Sequence, residues 1–419
     1  MNNRIPISEL KTGMYICGLE KRGTEPLFLM NSILLRTAAD IDHLYSREYD
    51  WAYIEVAKED LRPDPKKAAD SEPSPAKAKS SYNESEAPAH GPEIEFPSHD
   101  EEDDADFLEE TDFFDELKEA KSLRNEAEGL VRDFLRNARL GGEIDIKSID
   151  STVGRMVDSL FRNPDALTSL SRLKSFDDYT FSHCVNVSIL SLAIGRHMGL
   201  KKNAIKDLGI GAILHDIGKM LVPESILKKP AQLTEDEFSV MRTHASLGDD
   251  LLSQNNEISR EARQVALHHH ERFDGSGYPA GLAGAEIPIF ARIGAVADIY
   301  DAMSSNRVYQ KAVAPDEALR KLYLMRGTHL DPAIVERLIK CLGIYPIGTL
   351  VELNTNEKAI VRSLNPDNPL KPTVLMISDR HNRMLNLPFV LPLSNDQSRW
   401  ITSSKDPENH GGIQDLHLI

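Results

Sequence analysis

The stretch His268-His269-His270-Glu271-Arg272-Phe273-Asp274-Gly275-Ser276-Gly277-Tyr278-Pro279 constrains the fold of this chain more than any other. Adjacent imidazoles, His269 and His270, stand at the end of a segment whose apolar spacing predicts a helix. Asp274 to Pro279 then forms a reversal that only permissive backbone makes. The chain must therefore stop a helix, turn sharply and find partners for two imidazoles. Imidazole is the commonest protein metal ligand, so each ring can offer a nitrogen to a neighbouring ion. Taken alone, a surface histidine cluster above an ordinary turn explains the stretch equally well.

The surrounding sequence weighs against that bland account. From Pro164-Asp165 to about Leu342 the pattern is almost continuously helical, with loops at 220–233 and 272–290. Ligand-type residues recur through it: His183, the pair His215-Asp216 closing an apolar helix, His244, His269, His270 and Asp298. Thr234 with Glu237 forms a capping box that starts a helix predicted to run to about Asn255. A lone helical His183 or His244 is more often a hydrogen-bonded or surface histidine than a ligand. Asp298 alone reads equally as a packing hydrogen bonder. Several of these groups, however, sit inside apolar helical faces, where burying them unpaired costs several kcal/mol. A shared metal centre supplies the partners. His197, His268 and His329 read as structural or exposed.

This set of nitrogens and carboxylates lacks a thiolate, which suits iron, manganese, nickel or zinc. Two such ions acidify a water and clamp an in-line displacement at phosphorus. Lys219 lies one turn after His215-Asp216 and points the same way. A cation there holds a phosphate oxygen. The chemistry that follows is metal-assisted phosphoester hydrolysis, with Asp216 and Lys219 as its principal groups.

The flanks are simpler. Residues 1 to about 57 read as a small α/β domain, with strands at Met14–Leu19, Leu27–Leu35 and Trp51–Val56 and a helix from Ala38 to about Tyr49. Residues 58–106 are a Pro-, Ala- and acid-rich linker with little to bury. Residues 107–164 form a helical connector. In it Phe113, Leu117, Ala120, Ala127, Val131, Phe134 and Ala138 share a face that docks on the catalytic core or, second, on another subunit. Gly141-Gly142 ends that helix, and Ile144–Leu160 predicts the next. After Pro346 short strands near Leu350–Leu353, Ala359–Arg362 and Thr373–Ile377 predict a C-terminal β appendage over 343–419, frayed at its end. The net charge of −17 over 419 residues, with no basic stripe, argues against a nucleic-acid duplex. Three distant cysteines fit free thiols. No signal core or membrane-length apolar run is present, and the expected compartment is the cytoplasm.

His215-Asp216-Ile217-Gly218-Lys219 and His269 to Pro279 resemble the two signatures of the HD-GYP domain, a branch of the HD phosphohydrolase superfamily. With Ala297-Asp298-Ile299-Tyr300-Asp301-Ala302 they occur in family order, and the resemblance covers roughly residues 165–342. It implies a mainly α protein with an HD-type helical bundle. It implies a bacterial signalling phosphodiesterase that hydrolyses cyclic di-GMP to linear pGpG, with GMP as the alternative end product. By the same resemblance His183, His215, Asp216, His244, His269, His270 and Asp298 hold two divalent ions, iron or manganese first, nickel or zinc second. Lys219 and Arg307 bind substrate phosphate, and the loop carrying Gly277 and Tyr278 lies near the substrate entrance. The first 57 residues resemble an uncharacterised domain often found ahead of HD-GYP. Two departures stand out. Tyr179 replaces a carboxylate that holds a third ion in some members, and Gln310 replaces a basic residue three after Arg307. The alternatives are a cyclic di-GMP receptor or scaffold without turnover, and a phosphodiesterase for another cyclic dinucleotide. A homodimer and signalling-protein partners are further expectations.

Overall fold

The computed structural model describes residues 2–11, 14–20, 27–34, 51–55, 110–171, 179–305 and 312–405. The chain divides into two units, Met1–Phe107 and Leu108–Ile419. In the first, β1 (Asn2–Pro6), β2 (Tyr15–Glu20), β3 (Leu27–Leu34) and β4 (Trp51–Glu55) form an antiparallel sheet in the order β1-β4-β2-β3. β2, β3 and β4 lie where strands were predicted. β1 was not anticipated: its sequence, Asn-Asn-Arg-Ile-Pro, is mostly polar, as suits an edge strand with Pro at its end. The predicted helix after Ala38 and the linker 58–106 lie outside the described residues.

The second unit begins with α1 (Phe113–Leu140). Asp112 caps it by accepting from Phe114 N, and Gly141 closes it with φ 71°, a left-handed conformation that glycine adopts without penalty. Leu117, Leu123, Val131, Phe134 and Leu135 of α1 are buried in one core with α2 (Ile146–Arg162), α3 (Pro164–Leu170), α4 (Tyr179–His197) and α5 (Lys202–Leu214). The apolar face of the connector is thus packed within its own chain. α3 starts on Pro164 with Asn163 accepting from the Asp165 and Ala166 amides.

The later helices are α6 (Glu224–Leu227), α7 (Glu235–Arg242), α8 (His244–Ser253), α9 (Arg260–His268), α10 (Ile289–Met303), α11 (Pro315–Met325) and α12 (Pro332–Leu342). A second apolar cluster joins α4 to α10, α11 and α12. Thr234 and Glu237 make the predicted capping box. The helix it starts does not run to Asn255; it breaks at Thr243 into α7 and α8. Thr243 Oγ1 donates to the Val240 carbonyl, and the His244 ring nitrogen meets the Met241 carbonyl, both at 2.7 Å. The break also makes room for the backbone at Gly218. A Cβ there would lie 1.9 Å from the His244 carbonyl oxygen.

The C-terminal strands β5 (Leu350–Leu353), β6 (Lys358–Ser363), β7 (Thr373–Ser378), β8 (Met384–Pro392) and β9 (Ile401–Lys405) form an antiparallel sheet in the order β8-β7-β6-β5-β9. Val351, Ala359, Val361, Val374 and Met376 are its core. β8 and β9, the two edges, were missing from the sequence reading. Among the described residues no helix is long and apolar enough to cross a membrane. Cys184 and Cys341 are free thiols.

Candidate metal centre

α4, the end of α5, the start of α8 and the end of α9 converge with α10 on one buried point. His183 comes from α4, His215 caps α5, and Asp216 follows it. His244 opens α8, His269 caps α9 with His270 next to it, and Asp298 projects from α10. Their ligand atoms form two groups, Asp216-His244-His269-His270 and His183-His215-Asp298, each with all members within 4.8 Å of one another. The seven ligand-type residues singled out in the sequence therefore lie together.

Asp216 belongs to the first group and faces the second as well, one oxygen toward each. Oδ2 is 3.3 Å from His215 Nε2 and 3.9 Å from His183 Nε2. Oδ1 is 3.7 Å from Nε2 of both His244 and His269. A carboxylate set between two imidazole sets in this way has the geometry of a bridging ligand.

Backbone carbonyls fix which nitrogen each ring presents. His215 Nδ1 lies 2.7 Å from Ala212 O, His244 Nδ1 2.7 Å from Met241 O, and His269 Nδ1 3.0 Å from Val265 O. A ring that donates Nδ1–H to a carbonyl is neutral or cationic at that nitrogen and turns Nε2 inward. Nε2 of His215, His244 and His269, and Oδ1 of Asp216, are buried without a hydrogen-bond partner. Polar atoms in that condition cost several kcal/mol each. Four such atoms aimed at one point fit cations, and the donor set fits a pair of divalent ions.

The electrostatics agree. Burial pushes the His270 imidazole down to about 3, aided by His244 and Lys219 and opposed by Asp298, so the ring is a neutral donor. Burial likewise lowers His244 and His269. Burial would raise Asp216, but the charges of His215 and Lys219 outweigh it and hold the carboxyl well below its usual range. His183 is the exception. Burial lowers it, yet Asp298 at 3.2 Å and Asp301 at 2.7 Å drive it up to about 9.

Asp301 was not assigned a role from sequence. It is fully buried, takes His183 Nδ1 on Oδ2, and accepts from Asn186 Nδ2 on Oδ1 at 2.9 Å. The signal was present: Asp298 and Asp301 are three apart on α10, as are His183 and Asn186 on α4. Glu271 was also passed over. Its buried carboxylate accepts from the amides of Ala280 at 2.7 Å and Leu282 at 3.2 Å, tying down the Gly-rich reversal. Gly277 serves close approach: a Cβ there would lie 2.3 Å from Arg272 N. Tyr278 stands over the centre, its ring 4.8 Å from that of His270. Lys219 Nζ is 2.6 Å from Asp216 Oδ2 and its side chain is 30% exposed, so its charge borders both the carboxylate and solvent. Arg307 and Gln310 lie outside the described residues, as does the side chain of Tyr179.

Comparison with known proteins adds the following. Residues 156–334 match the HD domain family, and residues 2–149 match a domain of unknown function, DUF3391. The second match runs past the small sheet and through α1. A cyclic di-GMP phosphodiesterase of Pseudomonas aeruginosa is 34% identical over 387 residues, 89% of this chain and 84% of that protein. The cyclic di-GMP phosphodiesterase response regulator RpfG of Xanthomonas campestris is 41% identical over 43% of this chain and 48% of its own length. A 3'3'-cGAMP-specific phosphodiesterase of Vibrio cholerae is 33% identical over 38% of this chain and 31% of its own length.

Proposed function

Since the chain belongs to the HD-GYP branch of the HD-domain family, we propose that it is a metal-dependent phosphodiesterase that opens cyclic di-GMP to linear pGpG. The observation that carries this reading is the set of buried, unpartnered nitrogens around a two-faced Asp216. Nothing in a purely structural core requires it.

When bound, two divalent ions supply Lewis acidity toward a water and a phosphate oxygen. We assign them as iron or manganese, with nickel and zinc suited to the same donors. The residues of the chain do the remainder. His183, His215 and Asp298 would hold one ion and His244, His269 and His270 the other, with an oxygen of Asp216 offered to each set. Lys219 presents its ammonium to a non-bridging phosphate oxygen, as charge develops there. Arg307 takes a second phosphate oxygen. Tyr278 walls the site on the side of His270. We place the site in the cytoplasm, with a signalling protein or a second copy of the chain as its further partner.

The test is turnover. Purified protein loaded separately with iron and manganese is incubated with cyclic di-GMP, 3'3'-cGAMP and cyclic di-AMP, and products are separated by chromatography. The expected result is pGpG from cyclic di-GMP. Tight binding of cyclic di-GMP with both metals in place and no product would make the chain a receptor instead. Faster turnover of 3'3'-cGAMP would move the substrate assignment.

A further inference from the structure

Beside the metal centre stands a group of side chains of which Phe238 and Arg242 have no part in the chemistry above. α7 has no buried residue, and Phe238 on it is 46% exposed. A single exposed apolar side chain is ordinary. This one is distinguished by its neighbours. Its ring meets Tyr278 edge-on at 6.4 Å, and Tyr278 in turn lies 4.8 Å from His270. One turn along α7, the Arg242 guanidinium is 5.1 Å from the Phe238 ring centre and 5.8 Å from that of Tyr278. Two residues later the chain reaches His244. An aromatic face and a planar cation thus stand within the last two helical turns before His244.

We propose that Phe238, Arg242 and Tyr278 form a guanine-binding subsite, with Phe238 as the stacking face and Arg242 as the reader of the base's Hoogsteen edge. The inference rests on the phosphodiesterase reading and adds the part of the substrate that the metals do not touch.

Stacking a base on an aromatic ring contributes about 1–3 kcal/mol and needs no hydrogen bond. Guanine presents two acceptors, O6 and N7, which match a guanidinium fork. Adenine presents N7 and an amino donor, which sets donor against donor. Arg242 has donors to spare. Among the described residues Arg242 Nη2 donates to Ser239 Oγ at 3.3 Å, and a guanidinium carries five N–H groups. The support of the platform is rigid at the other end as well. Glu237, one residue before Phe238, is tied to Thr234 N at 2.8 Å and to Lys229 Nζ.

Steady-state kinetics on the full chain tests this, with cyclic di-GMP and cyclic di-AMP as substrates and metal content measured for every variant. Phe238→Ala should raise KM for cyclic di-GMP about tenfold or more, with metal content and thermal melt unchanged. Phe238→Tyr should restore the original KM. Arg242→Ala should reduce the preference for guanine over adenine, as a ratio of kcat/KM, by about tenfold or more. A KM within twofold for Phe238→Ala, or an unchanged base preference for Arg242→Ala, in an active enzyme overturns the subsite and leaves the phosphodiesterase reading standing. No turnover by the unsubstituted protein overturns that reading and the subsite with it.

Discussion

Replacing Asp301 by asparagine isolates the role of the buried carboxylate behind His183. The side chain keeps its volume and loses its charge, and one acceptor oxygen becomes an amino group. Asp301 now accepts from His183 Nδ1 at 2.7 Å and from Asn186 Nδ2 at 2.9 Å. In either orientation the new amino group faces one of those two donors. A hydrogen bond to a charged group contributes about 1.5–3 kcal/mol. Removing the outer partner of a metal-binding histidine typically weakens metal affinity about 10–100-fold, or about 1.4–2.8 kcal/mol. The two scales agree, which is expected when the same bond orients the ring and holds the fold. Competition titration of manganese against a chelator, on the original and Asp301→Asn proteins, measures the effect. One ion should bind 10–100-fold more weakly, and the ion held by His244, His269 and His270 should change less. Equal affinity for both ions, within twofold, in a variant that melts normally would refute the argument that Asp301 acts through His183.

Four further outcomes follow from the same geometry. Asp216→Asn should abolish hydrolysis while circular dichroism shows an intact helical fold, because the amide cannot carry the charge between the two imidazole sets. Lys219→Ala should lower kcat about 10²–10³-fold with metal content retained, since its charge serves the phosphate; an empty metal site in this variant would refute the role. Gly218→Ala places a Cβ 1.9 Å from His244 O and 2.6 Å from Gly248 N, so it should cost about 1–3 kcal/mol in a thermal melt and release metal. The metal-free protein should lose stability as pH rises from 6.5 through about 9. His183 is raised in the folded state, so its contribution is complete below the unfolded value and vanishes above the folded one. Asp301→Asn should flatten that slope in melts recorded with chelator present.

The helices of the site and its ligand-type residues were legible because their signals are local. His215-Asp216 and His269-His270 are neighbours in sequence, and each lies at the end of an apolar segment whose period sets the helix. Asp301 was harder, because a carboxylate in an apolar helix has the same appearance whether it ligates, orients a ligand or pairs with a cation. Glu271 was hidden for a different reason. Its partners, the amides of Ala280 and Leu282, are brought to it only by the closed reversal. The break at Thr243 escaped because Thr and His are both tolerated in a helix; the close approach of Gly218 that accompanies it is a tertiary fact. β8 contains Asn386 and Pro388, and β9 is Ile-Thr-Ser-Ser-Lys, so neither carries a strong strand pattern. Both are edges, where the sheet tolerates such sequences.

The burial of α1 fixes where this catalyst can be recombined with other modules. A natural or engineered fusion that joined a foreign receiver at Pro164 would delete Leu117, Leu123, Val131 and Phe134 from the core shared with α4 and α5. At about 1.5–3 kcal/mol for each buried side chain, the loss is roughly 6–12 kcal/mol, the whole stability of an ordinary domain. It would also delete Glu128, which accepts from Ser182 Oγ at 3.0 Å beside His183. The breakpoint therefore lies ahead of Asp112. A torque delivered there turns a helix whose buried face already belongs to the core that carries His183.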